Sequence, residues 1–361
     1  MLNLNAPQSS RRDRVVLALA AAFVVTLLGV DLASPSHIRL SDMLFVEAIV
    51  VAWFFGPLTT GLNWILATGA FSLIMSAKGV LTHLTELAAL LMVAAFTTAM
   101  CYVRDRRLQE LRQVRTVAEV AQQAVLRPLP QQAGPLRLSA LYLAAEDEAQ
   151  IGGDLYAVTR AQDRTRLIIG DVRGKGLAAV NDAAALIGAF RGAAAQRGDL
   201  SELADFLEGS VRSQIADPAQ PKMSGESFIT AMLIEIPDDE PVLRLVDFGH
   251  PPPLRLHEKA FSVLEVDEPA PPLGLGGLAG TAPRIETFAF DAGDVLLLHT
   301  DGVIEARDSA GGFFPLVERL DGWTEDRAGA LVDHIHADLL AYVGGRLRDD
   351  AAILAVERAG R

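Results

Sequence analysis

Four places in this sequence set an aspartate beside a glycine, or beside a second aspartate, at the edge of an apolar run. They are Gly153-Asp154, Gly170-Asp171, Asp301-Gly302 and Asp349-Asp350. A carboxylate in that setting cannot stay unpaired in a core, because burying an isolated charge is too costly. It either caps a turn, for which Asp and Gly are among the commonest residues, or it binds something. Any one of these motifs alone is accounted for by a turn. Four together, in a chain with one cysteine and seven histidines, fit a carboxylate site for hard, oxygen-preferring cations. Magnesium or manganese is the natural occupant.

The stretch "IIGDVRGKGLAAV", residues 168–180, looks superficially like a phosphate loop. A Walker loop needs Gly, four residues, then Gly-Lys-Ser/Thr, so that backbone amides wrap the phosphates and a hydroxyl meets magnesium. Gly170 stands one residue too close to Gly174, and Gly176 occupies the hydroxyl position. The stretch is therefore no Walker loop, and the carboxylate of Asp171 is left to be explained. In "PAPPLGLGGLAG" (269–280) the glycines follow prolines instead of a strand, which rejects a dinucleotide fingerprint. His334 and His336 are two apart on an expected helix and do not share a face, so no zinc pair forms there. Ser227 lacks a G-x-S-x-G turn. His250 reads as a turn residue, and His299 as a packed strand residue or a partner of the nearby acid.

The acids need elements that can bring them together. Beyond Leu136 short β-like runs alternate with Gly, Pro and Asp: "LRLSALYLA", "GDLYAV", "RLIIGDV", "SFITAMLIEI", "PVLRLVDFG", "RIETFAF" and "DVLLLHT". Helical stretches are expected at 176–196, 201–214 and about 324–343, followed by a last strand at 351–357. Strand-to-strand turns with a few clustered helices indicate antiparallel α+β layers instead of βαβ repetition. Several hydrophobic runs are continuous, as in sheets buried under helices.

The N-terminal part is of another kind. Residues 15–31, 43–55, 58–77 and 87–103 are nearly free of charge. A spanning helix needs about 20 mostly apolar residues, so four short membrane helices are expected, the second and third parted by Gly56-Pro57. Intramembrane charge is confined to Glu47 and Glu86, too little for a transporter. Arg11, Arg12 and Arg14 precede the first segment, and Arg104, Arg106, Arg107, Arg112 and Arg115 follow the fourth. Positive charge collects on the cytoplasmic side, which places both flanks inside the cell. Residues 104–127 carry no Gly or Pro, and Leu111, Val114, Val117, Ala121 and Ala124 form a helical stripe before Pro128. That stripe serves either as a spacer or as a homodimer seam. The expected organisation is a tail at 1–13, a transmembrane domain at 14–103, a linker helix at 104–136 and a cytoplasmic domain at 137–361. The net charge of −13 excludes a nucleic-acid surface, and Cys101 alone makes no disulfide framework.

Taken in order, "IGGDLYAV", "IIGDVRGKGLAAV", "SFITAMLIEI", "DFGHPPPLRL", "PPLGLG", "LLLHTDGVIEARD" and "LRDDAAILAV" resemble the SpoIIE-type branch of the metal-dependent PPM (protein phosphatase 2C-like) serine/threonine phosphatases. The likeness covers about residues 117–358, and a multi-helix anchor with a linker ending in "LRPLP" is similar to membrane-bound actinobacterial members. The resemblance implies an αββα sandwich of two antiparallel sheets flanked by helices. It implies hydrolysis of phosphoserine or phosphothreonine with two Mn²⁺ or Mg²⁺ ions. It also implies a phosphorylated regulatory partner, a STAS-type anti-sigma factor antagonist. Carried over, Asp171 bridges both ions with the carbonyl of Val172 as a further ligand. Asp154 faces one ion, Asp301 and Asp349 complete the other, and Asp350 is an additional candidate. Three positions depart from the family pattern: Ala157 where an Asp is common, Arg173 where Ser is common, and Ala352 where Thr is common. None removes an implied ligand. Arg173 either helps hold a phosphate dianion or is a solvated side chain. The alternative from another class is a catalytically silent membrane sensor or scaffold that keeps the fold.

Overall fold

The computed structural model describes residues 43–77, 84–145, 152–215, 228–276, 283–323 and 327–360, with scattered positions between 22 and 33. The N-terminal tail, most of the first apolar segment and the connection around Ser36 lie outside the described residues. The chain divides into two compact units, Met1–Arg112 and Gln113–Arg361.

In the first unit, helices α1 (Met43–Phe54) and α2 (Pro57–Ala77) are parted at Gly56, and α3 runs from Leu84 to Val125. Polar groups between these helices find one another. Trp64 Nε1 donates to Thr97 Oγ1 at 2.8 Å and Cys101 Sγ to the Ala52 carbonyl at 3.0 Å. The Arg104 guanidinium donates to the carbonyls of Ala52, Trp53 and Phe55. It thereby caps acceptors that the end of α1 leaves without intrahelical partners. Large apolar side chains point outward: Trp53, Leu58, Ile65, Leu66, Met92 and Phe96 are all exposed. Among the described residues one helical stretch, Leu87–Leu111, is long and apolar enough to cross a membrane. No break separates that stretch from the linker, since α3 is one helix of 42 residues. The side chains of Val114, Val117, Ala121 and Ala124, the expected seam, lie outside what is described.

Among the described residues the second unit holds eleven strands in two antiparallel sheets. The five-stranded sheet has the order β3 (Leu155–Arg160), β4 (Arg164–Val172), β5 (Ile229–Pro237), β6 (Val242–Phe248), β9 (Glu286–Ala289). The six-stranded sheet runs β1 (Gln132–Ala133), β2 (Leu136–Leu143), β11 (Ala351–Arg358), β10 (Val295–His299), β7 (Leu254–His257), β8 (Ala260–Val263). Helices α4 (Leu177–Ala193) and α5 (Leu200–Ile215) pack on the first sheet, and α8 (Ala328–Tyr342) on the second. Strand alternation divides the core. Leu296 and Leu298 of β10 join the cluster shared with the five-stranded sheet, while Val295 and Leu297 join the one under α8. The result is helices, sheet, sheet, helix, the αββα layering that the family resemblance implies. Two one-turn helices, α6 (Asp301–Ile304) and α7 (Leu316–Arg319), lie in the connections.

One buried ion pair ties the first helical layer to its sheet. Arg166 of β4 is 1% exposed and meets Glu235 of β5, 3% exposed, at 2.7 Å. Its remaining donors reach the carbonyls of Ala194, Arg197 and Gly198, in the turn between α4 and α5. Removing one member of a buried pair leaves a charge uncompensated, at a cost of about 3–5 kcal/mol. Arg166→Met is therefore expected to destabilise the protein by about that amount in urea unfolding. A change under about 1 kcal/mol would show that Arg164 and Arg244, which also reach Glu235, satisfy it without help.

Candidate active site

The acids gather where ends of both sheets meet. Asp154 precedes β3, Asp171 is the penultimate residue of β4, and Asp301 opens α6 directly after β10. Each offers one carboxylate oxygen, and the three oxygens lie within 4.8 Å of one another. Backbone contacts force this convergence. A Cβ on Gly302 would sit 1.7 Å from the carbonyl oxygen of Asp350, so only glycine lets α6 nest against the entry to β11. A Cβ on Gly153 would meet the carbonyl oxygen of Val172 at 2.6 Å, which makes the same demand where the Asp154 segment crosses the end of β4.

Asp154 is 3% exposed, and its Oδ2 accepts a 2.6 Å hydrogen bond from Thr300 Oγ1. That hydroxyl in turn accepts the backbone N–H of Ala352. Thr300 thus fixes one oxygen of Asp154. Burial, and then the neighbouring Asp171, hold the Asp154 carboxyl well above the ordinary range. Burial followed by the charges of Asp301 and Asp349 pushes Asp171 up to about 7. Burial, Glu305 and Asp349 raise Asp301. Carboxylates held this close resist full ionisation unless a cation joins them. Three hard oxygen donors from three backbone segments are a donor set suited to Mg²⁺ or Mn²⁺.

The Asp349-Asp350 pair divides. Asp349 is half exposed at the rim, where its Oδ2 lies 3.2 Å from Lys175 Nζ. Its charge still reaches Asp171 and Asp301. Asp350 is 3% exposed, and both its oxygens are taken. Oδ1 accepts Ala145 N at 2.7 Å, while Oδ2 accepts Gly152 N at 2.7 Å and the Tyr142 hydroxyl. Counted among the ligand candidates from sequence, Asp350 in the structure anchors the segment that delivers Asp154. Burial and the Asp350 charge raise Tyr142, keeping it a protonated donor. Gln122, near the end of α3, donates to the Gly152 carbonyl at 3.3 Å from the other side.

Sequence reasoning missed Thr300 and Tyr142. The one available signal was a hydroxyl at the end of the apolar run "VLLLHT". The described histidines take no part in the cluster. His250 is buried with neither ring nitrogen hydrogen-bonded, and its backbone N–H caps Asp247 Oδ1 at 2.8 Å. Burial pushes His250 down to about 3 and His299 to about 4, so both rings are neutral. His299 Nδ1 faces the Thr300 carbonyl and no acid. A second group, His257 with Asp291 and Asp294, clamps the turn into β10: His257 Nδ1 pairs with Asp294 Oδ1, and Asp294 Oδ2 accepts Asp291 N–H.

A family model described as stage II sporulation protein E (SpoIIE) matches residues 161–359. Among solved structures the chain is similar to the SiaA PP2C domain of Pseudomonas aeruginosa. That match has 18% identity and a TM-score of 0.56, and it covers 71% of this chain and 98% of that one. It is also similar to the PP2C phosphatase domain of Bacillus subtilis SpoIIE with a fragment of its regulatory domain. There the identity is 15% and the TM-score 0.50, over 62% and 63% of the two chains. The RsbU and RsbW domains of a Mycobacterium tuberculosis protein match at 24% identity and a TM-score of 0.48, over 62% and 60%. This chain therefore spans less than two thirds of the last two, and identities this low establish the fold alone.

Proposed function

The chain belongs to the SpoIIE family of metal-dependent serine/threonine phosphoprotein phosphatases, and from that premise we propose that it dephosphorylates a regulatory protein at a two-metal centre while anchored in a membrane. The observation that carries this reading is the convergence of Asp154, Asp171 and Asp301 within 4.8 Å from segments of both sheets.

Asp171 would hold both ions, with the carbonyl of Val172 as a further donor. Asp154 would hold one ion, and Asp301 with Asp349 the other. Two divalent ions supply a water of lowered pKa, a template for in-line attack and neutralisation of the phosphate charge. The protein's own part is positioning. Thr300 holds the Asp154 carboxylate in one orientation. Asp350 keeps the Gly152 segment in place, and the glycine contacts leave the ligands no slack. Lys175 at the rim lowers the net negative charge that an incoming phosphate dianion meets. The family resemblance supports a STAS-type anti-sigma factor antagonist as the phosphorylated partner. The helical stripe of the linker supports a homodimer.

The test is turnover by the full-length protein in detergent with Mn²⁺, using an aryl phosphate and then a phosphoprotein. Metal-dependent hydrolysis of both is expected. A folded sample without a rate at any Mn²⁺ concentration would leave the silent scaffold as the function.

The charge flanks support a multi-pass arrangement with the N-terminus and the phosphatase unit in the cytoplasm. A reporter fused after Arg107 is expected to behave as cytoplasmic and one at Ser36 as external. An external signal at Arg107 would overturn the even number of spans and put the site on the wrong side for a cytosolic phosphoprotein.

A further inference from the structure

The turn after β4 carries two cations, and the structure treats them differently. Lys175 is spent on Asp349. Arg173 is exposed and, among the described residues, has no carboxylate partner, although it lies two positions from Asp171. An arginine beside a cluster of acids ordinarily folds onto them. Here the guanidinium instead rests over the ring of Phe228, 4.9 Å from its centroid.

The β4–β5 ladder explains the arrangement. Asp171 is paired with Thr230 and Val172 with Ile229. The Arg173 N–H continues the ladder by donating to the Phe228 carbonyl at 3.0 Å. Arg173 and Phe228 are therefore a cross-strand pair one step beyond Asp171 and Thr230 on the same face, because side chains two apart in a strand point the same way. Two residues of strand separate their Cα atoms by about 7 Å. That spacing lets a group bound at Asp171 be met from the side by a planar donor whose face is already occupied. Stacking removes part of the rotamer freedom of the side chain and leaves the N–H edge free, the edge that binds phosphate oxygens in pairs.

We propose that Arg173, held by Phe228, is a specificity residue that receives the phosphoryl oxygens of the substrate at the mouth of the acid cluster. The inference rests on the phosphatase reading, and it assigns a role to the residue standing where relatives commonly carry serine. It predicts a site that recognises the phosphoryl group itself, so a small aryl phosphate and a phosphoprotein depend on Arg173 alike.

The experiment measures binding of inorganic phosphate to the full-length protein in detergent with saturating Mg²⁺, by calorimetry, beside KM for an aryl phosphate and for a phosphoprotein. Arg173→Gln is expected to weaken phosphate binding about tenfold or more, the range for a lost charge-assisted hydrogen bond, and to raise both KM values similarly. The affinity for Mn²⁺ should not change. Arg173→Lys keeps the charge without the fork and should recover only part of the loss. Phe228→Leu should give a smaller loss in the same direction. Unchanged phosphate affinity in Arg173→Gln overturns the proposal. So does an increase in KM for the phosphoprotein alone, which would place Arg173 against the protein part of the substrate. Wild-type protein that binds phosphate through Arg173 yet hydrolyses no ester keeps this site and overturns the phosphatase reading. Wild-type protein that hydrolyses the ester yet binds no phosphate overturns this site and keeps the phosphatase reading; one that neither binds phosphate nor hydrolyses an ester overturns both.

Discussion

Asp171→Asn is expected to lower kcat by at least about a thousandfold, which corresponds to about 4 kcal/mol of lost transition-state stabilisation. The change preserves shape and one hydrogen-bonding oxygen, so the effect would not come from unfolding. Asp171 sits between its partners, and both Asp154 and Asp301 offer oxygens within 4.8 Å. Losing its charge weakens whatever cation either neighbour helps to hold. Asp301→Asn touches one side only, so it should be milder and should respond to more Mn²⁺. The check is a Mn²⁺ titration of turnover and of binding for both variants. Near-full Mn²⁺-dependent activity in both would end the metal assignment and the mechanism with it.

The second large effect is on stability, and its sign follows from the same carboxylates. Asp154, Asp171 and Asp301 are all held above the usual carboxylate range, Asp171 at about 7. A raised acid binds more protons in the folded than in the unfolded chain. Stability therefore falls as pH rises from the unfolded value, about 3.9, through the folded one, and it levels off above. The acids should accordingly remove stability, on the order of a few kcal/mol, from the metal-free protein between about pH 4 and pH 7. The buried rings of His250 and His299, held low, add stability over much of the same window. The acids' part is therefore read as the difference between wild type and Asp171→Asn. Mn²⁺ at a hundredfold excess over Kd should restore about 2.7 kcal/mol at pH 7. Without metal, Asp301→Asn should be as stable as wild type or more so at pH 7, because it relieves repulsion. Thermal unfolding in chelator at several pH values decides the matter. A difference between wild type and Asp171→Asn that stays flat across pH 4–7 would show that the Asp171 carboxyl is not raised in the folded chain.

How much of this was readable beforehand depended on what each feature is made of. The strand carrying Asp171 and the one leading to Asp301 announce themselves as apolar runs closed by Gly-Asp or Asp-Gly, and they form where expected, at Arg164–Val172 and Val295–His299. The β7–β8 hairpin was not legible. Its turn places Glu258 and Lys259 at φ 47° and 67°, left-handed positions where Asn or Gly is the usual signal. Arg166 was invisible for a different reason. An arginine in a strand reads as an exposed residue until the partner 69 positions away, Glu235, is brought beside it. The roles of Asp349 and Asp350 could not be separated by adjacency. Successive residues point to opposite sides, and only the positions of Tyr142, Ala145 and Gly152 show which of the two is turned inward. The end of the last apolar segment was equally hidden, because helix propensity carries α3 through the change from apolar to charged sequence without a break.

The strand order of the six-stranded sheet bears on how the protein comes to be folded at all. β11 lies between β2 and β10, so beyond the short β1 beside it β2 finds its second neighbour only in residues more than two hundred positions later; Arg137 and Glu357, paired across that seam, are 220 apart. Such distant pairing is slow, since loop-closure entropy is lost before the contact rewards it. Until it forms, β2 waits with one edge open, a template for wrong partners. Asp349 and Asp350 enter together with β11. The last pairing that completes the sheet is thus also the one that brings the final acids to the site, and a chain that has not closed its sheet has no competent centre to regulate.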